Sequence, residues 1–432
     1  MIDLSEFNPW WRSGSVPPAL LGKERRLLAQ IVKDMGLRQI QILSGIRRAG
    51  KTTLLFQIID WLIRVEKIHP HNILYFSFDV EVEEFDEIMQ SYEQLVIKRS
   101  YKEIDRLFVV LDEVRKLPDW ANRIKRLYDL NPNVKLVLSG SAALHLKQGT
   151  RESLAGRFFD VKVSPLGFDE YLEFVDVEVD KAREDLYEAD LRRHFDSYIE
   201  TGGFIEAFDF DALQRAKYFR ESLLERVIYM DLPSAYAIRS PDLLYRLLKI
   251  IAERPGIYLD YHRLANDLKY DQRTIADYLQ YLENSLLVRR VYNYSATQLT
   301  SEKKMKRAYL TSTAFSKALS PGVGRGPLFE QHFVSSLEAV FFWRTPRQDE
   351  VDIIVASDAG PVPIEVKIAE RFDPRDAGAV FKFMNQFDVT RGVLVSDKSE
   401  TDLSRGANRI SVIPYWKYWT LQRALDVTVT GE

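Results

Sequence analysis

Residues 45–52 read Gly-Ile-Arg-Arg-Ala-Gly-Lys-Thr and satisfy the phosphate-binding pattern GxxxxGK[ST] at every fixed position. The segment 39–44 before them, Gln-Ile-Gln-Ile-Leu-Ser, predicts a strand, and the segment 52–59 after them predicts a helix. In such a strand–loop–helix unit, the backbone N–H groups of the loop and the helix N-terminus face an anion together. The pattern therefore predicts a nucleoside triphosphate site, against the alternative of an ordinary glycine-rich turn.

The side chains of this loop have distinct expected roles. We expect Lys51 to reach the β- and γ-phosphates and the hydroxyl of Thr52 to bind Mg²⁺. The residues expected to bind the nucleotide are Gly45, Ile46, Arg47, Arg48, Ala49, Gly50, Lys51, Thr52, Thr53 and, farther along the chain, Ser139.

A second apolar run, 107–111, is followed directly by Asp112 and Glu113. A continuous apolar run is typical of a strand buried on both faces of a parallel sheet. At its carboxyl end we expect Asp112 to hold Mg²⁺ and Glu113 to polarise the attacking water as the catalytic base. The alternative is that the acidic pair only caps the following turn.

Two further positions are candidates for the same site. The run 134–138 ends at Ser139, where a small polar group is expected to contact the γ-phosphate or order the water; the alternative is a helix N-cap at Ser141. Arg157 precedes the last predicted strand, 158–163. We expect it either to stabilise transition-state charge, in cis or across the interface of a homo-oligomer, or to be an ordinary surface arginine.

Together these motifs resemble the prokaryotic, especially archaeal, AAA-type P-loop ATPases that carry a C-terminal DUF4143 domain. The resemblance covers nearly the whole chain and rests on residues 45–55, 111–120, 138–141, 153–158 and 165–171, in that order. It implies ATP rather than GTP as the nucleotide, with Mg²⁺ as the cofactor. It also implies that residues 8–11, Asn-Pro-Trp-Trp, fold over the adenine; alternatively, the two tryptophans anchor this segment in a core groove.

The middle of the chain predicts helices and then a helix-turn-helix. Residues 171–235 are expected to form a helical lid over the nucleotide. Within 236–300, helical runs and the strand-like run 286–292 predict a winged helix. Its recognition helix would present Gln272, Arg273 and Thr274 to DNA. Acidic residues dilute this surface, so packing between domains is an equally open interpretation.

The C-terminal part carries four residues in the order of the PD-(D/E)XK nuclease core, which it resembles. They are Glu330, Asp352, Glu365 and Lys367. Glu365 and Lys367 alternate on one predicted strand and so share a face. With Asp352 on the neighbouring strand and Glu330 on the preceding helix, the carboxylates are expected to bind a metal ion, beside which Lys367 orients the attacking water. The alternative is a domain that only binds nucleic acid or a partner.

Composition sets outer limits on function. The 432 residues include 60 basic and 63 acidic side chains, so nucleic-acid binding would depend on a local patch such as 303–307, itself typical of an ordinary solvated surface. The chain has no cysteine, which excludes disulfides and suits a cytoplasmic protein. No apolar run approaches the roughly 18 residues of a membrane helix.

We therefore predict an α/β protein with four parts: an ATPase core with a parallel sheet (1–170), a helical lid (171–235), a winged helix (236–300) and a restriction-endonuclease-like domain (301–432). The predicted function is Mg²⁺-dependent ATP hydrolysis coupled to a domain that acts on branched or single-stranded DNA. The rival is a slow nucleotide-operated switch whose C-terminal domain is a non-catalytic docking module.

Overall fold

The computed structural model describes residues 3–79, 85–141, 154–295, 305–356, 360–369 and 373–425. The chain divides into two compact units, one ending at Pro165 and the other beginning at Leu166. The predicted lid, winged helix and C-terminal domain all fall within the second unit. The boundaries between these three parts remain a prediction.

A five-stranded parallel sheet forms the centre of the first unit. Its strands are β1 (Ile40–Gly45), β2 (Ile73–Ser77), β3 (Leu107–Asp112), β4 (Val134–Ser141) and β5 (Phe158–Val163), in the order β2-β3-β4-β1-β5. Strands β1 and β3 are buried at every position, as expected for strands covered on both faces. The predicted α/β class with a parallel sheet is confirmed.

Six α-helices of the first unit are described. They are α1 (Trp10–Ser13), α2 (Pro18–Leu21), α3 (Leu27–Lys33), α4 (Lys51–Arg64), α5 (Phe85–Ser91) and α6 (Trp120–Leu130). Helix α4 begins at the end of the phosphate-binding pattern, with Gly50 in the left-handed conformation just before it (φ 87°). The loop therefore opens the helix as the sequence predicts.

The N-terminal segment covers the edge strand β2. The amide of Asn8 donates to Tyr75 O at 2.9 Å and its carbonyl accepts from Tyr75 N at 2.7 Å. The indoles of Trp10 and Trp11 both donate to Ile73 O. Trp10 is fully buried. The two tryptophans thus anchor the segment against β2, and the prediction that residues 8–11 fold over the adenine stays a prediction.

The second unit contains a sheet of nine described strands. These are β6 (Ile257–Tyr258), β7 (Val288–Asn293), β8 (Lys306–Leu310), β9 (Phe341–Arg344), β10 (Glu350–Val355), β11 (Val362–Lys367), β12 (Arg391–Ser396), β13 (Thr401–Arg405) and β14 (Asn408–Pro414). Their order is β13-β14-β12-β11-β10-β9-β7-β8-β6. Because β7 pairs with β9 in parallel, strands from the predicted winged helix and from the predicted nuclease-like domain share one sheet.

The described α-helices of the second unit surround this sheet. They are α7 (Phe168–Phe174), α8 (Glu188–Thr201), α9 (Ala212–Lys217), α10 (Leu232–Ala235), α11 (Pro241–Glu253), α12 (Tyr261–Leu268), α13 (Gln272–Asn284), α14 (Thr313–Leu319), α15 (Arg325–Ser336), α16 (Gly378–Phe387) and α17 (Tyr418–Leu425). Helical turns of π type link α9 to α10 over Tyr218–Glu225 and Val227–Asp231.

The first two helices of the predicted lid lie in the core of the second unit. Phe195 of α8 packs against Phe329 of α15 and Tyr415, with ring centroids 5.5 and 5.0 Å apart. Arg192 donates to the backbone oxygen of Asp397 at 2.9 Å. These helices are therefore integral to the C-terminal part of the chain, and a lid role over the nucleotide remains a prediction.

Helices α11, α12 and α13 precede β7 and β8, and β8 lies between β6 and β7 with both pairings antiparallel. This order is compatible with the predicted winged helix, which remains a proposal. Along the described ranges, no helix combines the length and apolarity needed to cross a membrane.

Candidate functional site

The phosphate-binding loop requires glycine at two positions. A Cβ on Gly45 would overlap the backbone oxygen of Val163 on β5. Gly50 adopts a φ of 87°, which side-chain-bearing residues rarely adopt. The remaining predicted loop residues differ in access: Ile46 and Ala49 are buried, whereas Arg48 and Thr52 are exposed and Arg47 and Thr53 are partly exposed.

Lys51 is folded back onto its own loop. Its side chain is 5% exposed, and its ammonium donates to Gly45 O at 3.1 Å and to Ile46 O at 3.0 Å. A second buried cation, Arg25, also contacts the loop. Its guanidinium donates to Ala49 O at 3.2 Å. Arg25 lies outside the motif, which is why the sequence does not reveal this role.

The carboxylate of Asp112 is the centre of a hydrogen-bond cluster. Its Oδ2 accepts from Thr52 Oγ1 at 2.7 Å and from the hydroxyl of Tyr75 at 3.2 Å. Its Oδ1 accepts from Ser139 Oγ and from Glu113 N. The structure therefore brings together the predicted residues of α4, β3 and β4, and it adds Tyr75 of β2.

Glu113 is held in a strained position beside this cluster. Its φ of 50° is in the left-handed region, and its N–H also donates to Ser139 Oγ at 3.2 Å. Burial raises the pKa of its carboxyl, the nearby Lys51 ammonium opposes this, and the Asp112 charge adds to it. A carboxyl with a raised pKa next to a phosphate-binding loop suits a general base.

The oxygen atoms of Thr52 and Asp112 fit a magnesium ion. The hydroxyl and the carboxylate are 2.7 Å apart and are both hard oxygen ligands of the kind that Mg²⁺ prefers.

Arg157 lies at the opposite edge of the sheet, which corrects the expectation that it acts in cis. It precedes Phe158, which pairs with Ile40 at the start of β1, whereas the loop follows Gly45 at the end of that strand. At a rise of about 3.3 Å per residue, the two edges are about 17 Å apart. The guanidinium of Arg157 instead donates to Asp129 at 2.9 Å. A role across a subunit interface stays a prediction.

In the second unit, three of the four predicted C-terminal residues come together. Lys367 Nζ lies 2.9 Å from Glu365 Oε1 on the same strand, β11. On the neighbouring strand β10, Asp352 Oδ2 accepts from Val366 N at 3.0 Å. Both carboxyls are buried. The predicted alternation of Glu365 and Lys367 on one face therefore matches the geometry.

The fourth residue, Glu330, is held by a cation that the sequence analysis missed as a site residue. Arg307 of β8 donates to Glu330 Oε1 at 2.5 Å and to Glu350 Oε1 at 2.9 Å. The hydroxyl of Tyr309 also donates to Glu330 Oε1 at 2.5 Å. Arg307 is 6% exposed, so its expected place in a solvated basic patch is wrong; Lys303 and Lys304 of that patch lie outside the described residues.

The fit of this acidic site to a divalent cation is partial. Over the described residues, no group of three or more His, Asp or Glu side chains is placed to hold a metal ion. However, Glu365 Oε2 is buried and has no hydrogen-bond partner there, which leaves a hard oxygen free beside Asp352. Burial raises the pKa of Glu330, Asp352 and Glu365. The pair Asp352 and Glu365 thus fits a cation better than the predicted three.

The predicted recognition helix offers little basic surface. Gln272 and Arg273 are exposed at the start of α13. The hydroxyl of Thr274 donates to Asp271 Oδ2 at 2.5 Å as part of the helix cap. The hydroxyl of Thr274 is thus used in capping α13. Contacts between α13 and DNA bases remain a prediction.

Family models match three consecutive segments. Residues 37–172 match the AAA domain model, residues 192–323 a domain of unknown function (DUF8612), and residues 327–418 a domain of unknown function (DUF4143). The chain thus contains one segment that matches an AAA domain and another that matches DUF4143.

Similar proteins include three that are named as uncharacterized. An uncharacterized protein of Methanocaldococcus jannaschii is 25% identical over 413 residues, covering 89% of this chain and 88% of that protein. Another from this archaeon is 25% identical over 419 residues, covering 89% and 85%. An uncharacterized protein of Haemophilus influenzae is 24% identical over 281 residues, covering 64% and 68%.

Similar solved structures include the Walker-type ATPase of Pyrococcus abyssi, with 14% identity and a TM-score of 0.40, covering 71% of this chain and 97% of that chain. The Orc1 protein of Aeropyrum pernix in complex with DNA has 15% identity and a TM-score of 0.31, covering 72% and 96%. Similarity at this level does not carry function from one protein to the other.

Proposed function

We propose that this chain hydrolyses ATP in a Mg²⁺-dependent reaction at the loop of residues 45–52. The observation that carries the proposal is the Asp112 carboxylate, which joins Thr52 to Ser139 beside the partly buried Glu113. ATP is chosen over GTP because the segment matches the AAA domain model.

Each side chain has a defined task in this reaction. Lys51 releases the carbonyl oxygens of Gly45 and Ile46 and donates to the β- and γ-phosphates. Thr52 and Asp112 would hold Mg²⁺. When bound, this ion would neutralise negative charge on the phosphates. Glu113 accepts the proton of the attacking water, and Ser139 keeps the Glu113 backbone in place.

The test is phosphate release from ATP by the full chain. We expect release that needs Mg²⁺ and is lost in Lys51→Ala together with nucleotide binding. Lys135→Met is a matched control, because Lys135 is also a buried lysine bound to backbone oxygens, at Asp34, Leu37 and Gln39, away from the loop. Release that persists in Lys51→Ala would contradict the proposal.

For the second unit we propose a metal-dependent site for phosphodiester cleavage in DNA. It is supported by the contiguous arrangement of Asp352, Glu365 and Lys367 and by the unpartnered oxygen of Glu365. Asp352 and Glu365 would hold the cation, which supplies stabilisation of charge on the phosphate. Lys367 orients a water whose oxygen attacks phosphorus and whose proton passes to solvent. The bond from phosphorus to the 3′ or 5′ oxygen breaks, and that oxygen takes up a proton from solvent.

Cleavage of branched, single-stranded and duplex DNA with Mg²⁺ or Mn²⁺, with and without ATP, tests this second activity. We expect cleavage to be lost in Asp352→Asn and kept in Asp349→Asn, which changes an acid just before β10 that pairs with the exposed Lys382. Equal cleavage by both variants would show that the activity does not come from this site.

A different function, a nucleotide-operated switch with a docking module, is favoured by one observation. Arg307 pairs with three of the four acids around the site, Glu330, Glu350 and Asp352, so the protein itself compensates part of their charge. Slow, DNA-independent turnover with nucleotide-dependent association would support the switch, whereas DNA-stimulated turnover would support the ATP-coupled nuclease.

A further inference from the structure

The guanidinium of Arg307 is surrounded by acids from two other elements. It donates to Glu330 on α15 and to Glu350 on β10, and its Nη1 lies 3.7 Å from Oδ1 of Asp352. Its Nε donates to the backbone oxygen of Gly256 at 2.9 Å. Every side of the charged group therefore faces an acceptor from the second unit.

Aromatic rings enclose this group. The rings of Tyr258, Tyr309 and Phe342 lie 5.3 to 5.7 Å from the guanidinium carbon. A charge enclosed in this way is tolerated only when it is paired, since an unpaired buried ion is strongly destabilising. The same holds for the acids: Arg307 is the cation that contacts Glu330, while Glu350 also lies 3.5 Å from Nε of Arg344.

The space for that cation is shaped for arginine. Gly256 has a φ of 80°, and a Cβ at this residue would overlap the Nη2 of Arg307. The hydroxyl of Tyr258 donates to Glu350 and that of Tyr309 donates to Glu330, so both acids that accept a hydrogen bond from Arg307 are also held by a tyrosine. The arrangement is a built binding place for a guanidinium.

We propose that Arg307 is the resident cation of this acidic centre, which leaves Asp352 and Glu365 as the side-chain ligands for a divalent cation and removes Glu330 from that role. The inference deepens the function proposed for the C-terminal site. It also makes β8, which pairs with the first strand of the predicted winged helix, a part of that site.

The proposal predicts that a divalent ion can take the place of the guanidinium. In Arg307→Met, Glu330 and Asp352 lose this cation and Glu350 keeps only Arg344 at 3.5 Å, so their oxygens become available as hard ligands. An ion pair with a purely structural role would only be lost, without any gain in metal binding.

The experiment is a Mn²⁺ titration of the nucleotide-free full chain, followed by the electron paramagnetic resonance of free Mn²⁺ and by thermal unfolding. We expect Arg307→Met to bind one more Mn²⁺ per chain than wild type and to unfold at a higher temperature with Mn²⁺ than with chelator. The double variant Arg307→Met, Glu330→Gln should lose that gain.

Arg290→Met is the matched control. Arg290 lies on β7, is also buried in its side chain, and pairs with Glu283 on α13 rather than with the acidic centre. We expect it to be destabilised without a change in Mn²⁺ binding. A destabilised Arg307→Met that binds no additional Mn²⁺ would overturn the proposal.

Glu330→Gln in the wild-type background gives a second test that does not depend on the folding of Arg307→Met. The proposal expects its Mn²⁺ affinity to stay within about twofold of wild type, whereas loss of a ligand would weaken binding by more than about tenfold and overturn the proposal. If wild type binds no Mn²⁺ but Arg307→Met does, the proposed cleavage fails while the role of Arg307 stands.

Discussion

The hydroxyl of Thr52 donates a 2.7 Å hydrogen bond to Oδ2 of Asp112, which connects the first turn of α4 to the carboxyl end of β3. Ser139 and Tyr75 donate to the same carboxylate from the two strands that flank β3. The orientation of this carboxylate is thus fixed by three elements besides its own. Substituting a residue that donates to this carboxylate should change the Mg²⁺ concentration that hydrolysis needs. Substituting the neighbouring Glu113 should instead lower the rate of the chemical step.

Glu113→Gln is expected to keep nucleotide binding and lose turnover. The amide keeps the size of the side chain but cannot accept a proton, and general-base catalysis contributes about 10²- to 10⁴-fold. Phosphate release and binding of a fluorescent ATP analogue measure the two properties separately. Glu103→Gln, an exposed acid of the same unit, is the control. Wild-type turnover in Glu113→Gln would show that another group is the base.

Tyr75→Phe is expected to raise the Mg²⁺ concentration needed for half-maximal hydrolysis by about fivefold, since one hydrogen bond contributes about 1 kcal/mol. The ring should stay in place, because its centroid lies 4.9 Å from that of Phe56. Nucleotide binding without Mg²⁺ should not change. Tyr92→Phe is matched as a buried tyrosine whose hydroxyl donates to His71 O instead. An equal shift in both variants would contradict a specific role for Tyr75.

Most of the candidate nucleotide site is local in the sequence, so the grouping of its residues could be predicted. The loop, its strand and its helix are contiguous in the chain, and Asp112 ends an apolar run that only a buried strand explains. The hydrogen bond from Tyr75 to Asp112 could not be predicted, because it depends on β2 and β3 being neighbours in the sheet. No single segment of the sequence encodes the order of the strands. The sequence analysis allows Arg157 a role in cis. However, a residue that precedes a parallel strand lies at the edge of the sheet away from the loop.

The acidic site shows the limit of motif analysis more clearly. Glu365 and Lys367 follow from alternation along one strand, which is local. Arg307 reaches Glu330 and Glu350 only because β8 enters the sheet that contains β10. Its one local signal is an arginine within the otherwise apolar end of a strand, Arg-Ala-Tyr-Leu.

Glu184→Ala is expected to destabilise the second unit by about 1–3 kcal/mol, because it removes the acceptor of several buried donors. The carboxylate accepts from Trp419 N at 3.0 Å, Thr420 N at 2.9 Å and Thr420 Oγ1 at 2.7 Å, and so caps helix α17. Urea unfolding measures the change. Glu178→Ala, an exposed acid nearby in the chain, should stay close to wild type. Equal stability of the two variants would show that the cap contributes nothing.

His332 is expected to make the second unit sensitive to acid. It packs among the rings of Phe195, Tyr198 and Phe333, and burial lowers its pKa from 6.5 to about 4. Between these values the unfolded chain binds a proton that the folded chain does not. The contribution of His332 is therefore fully present above about pH 6.5 and falls by roughly 3 kcal/mol as the pH drops to about 4.

His332→Phe should therefore flatten the acid side of the stability profile. The free energy of unfolding in urea, measured at about pH 7 and about pH 5, gives the slope for each protein. The buried acids with raised pKa, such as Glu365, affect stability in the opposite direction, but they are present in both proteins and cancel in the comparison. His262→Gln changes an exposed histidine on α12 and should keep the wild-type slope. If His332→Phe loses as much stability on acidification as wild type, His332 is not the group that the folded chain keeps neutral.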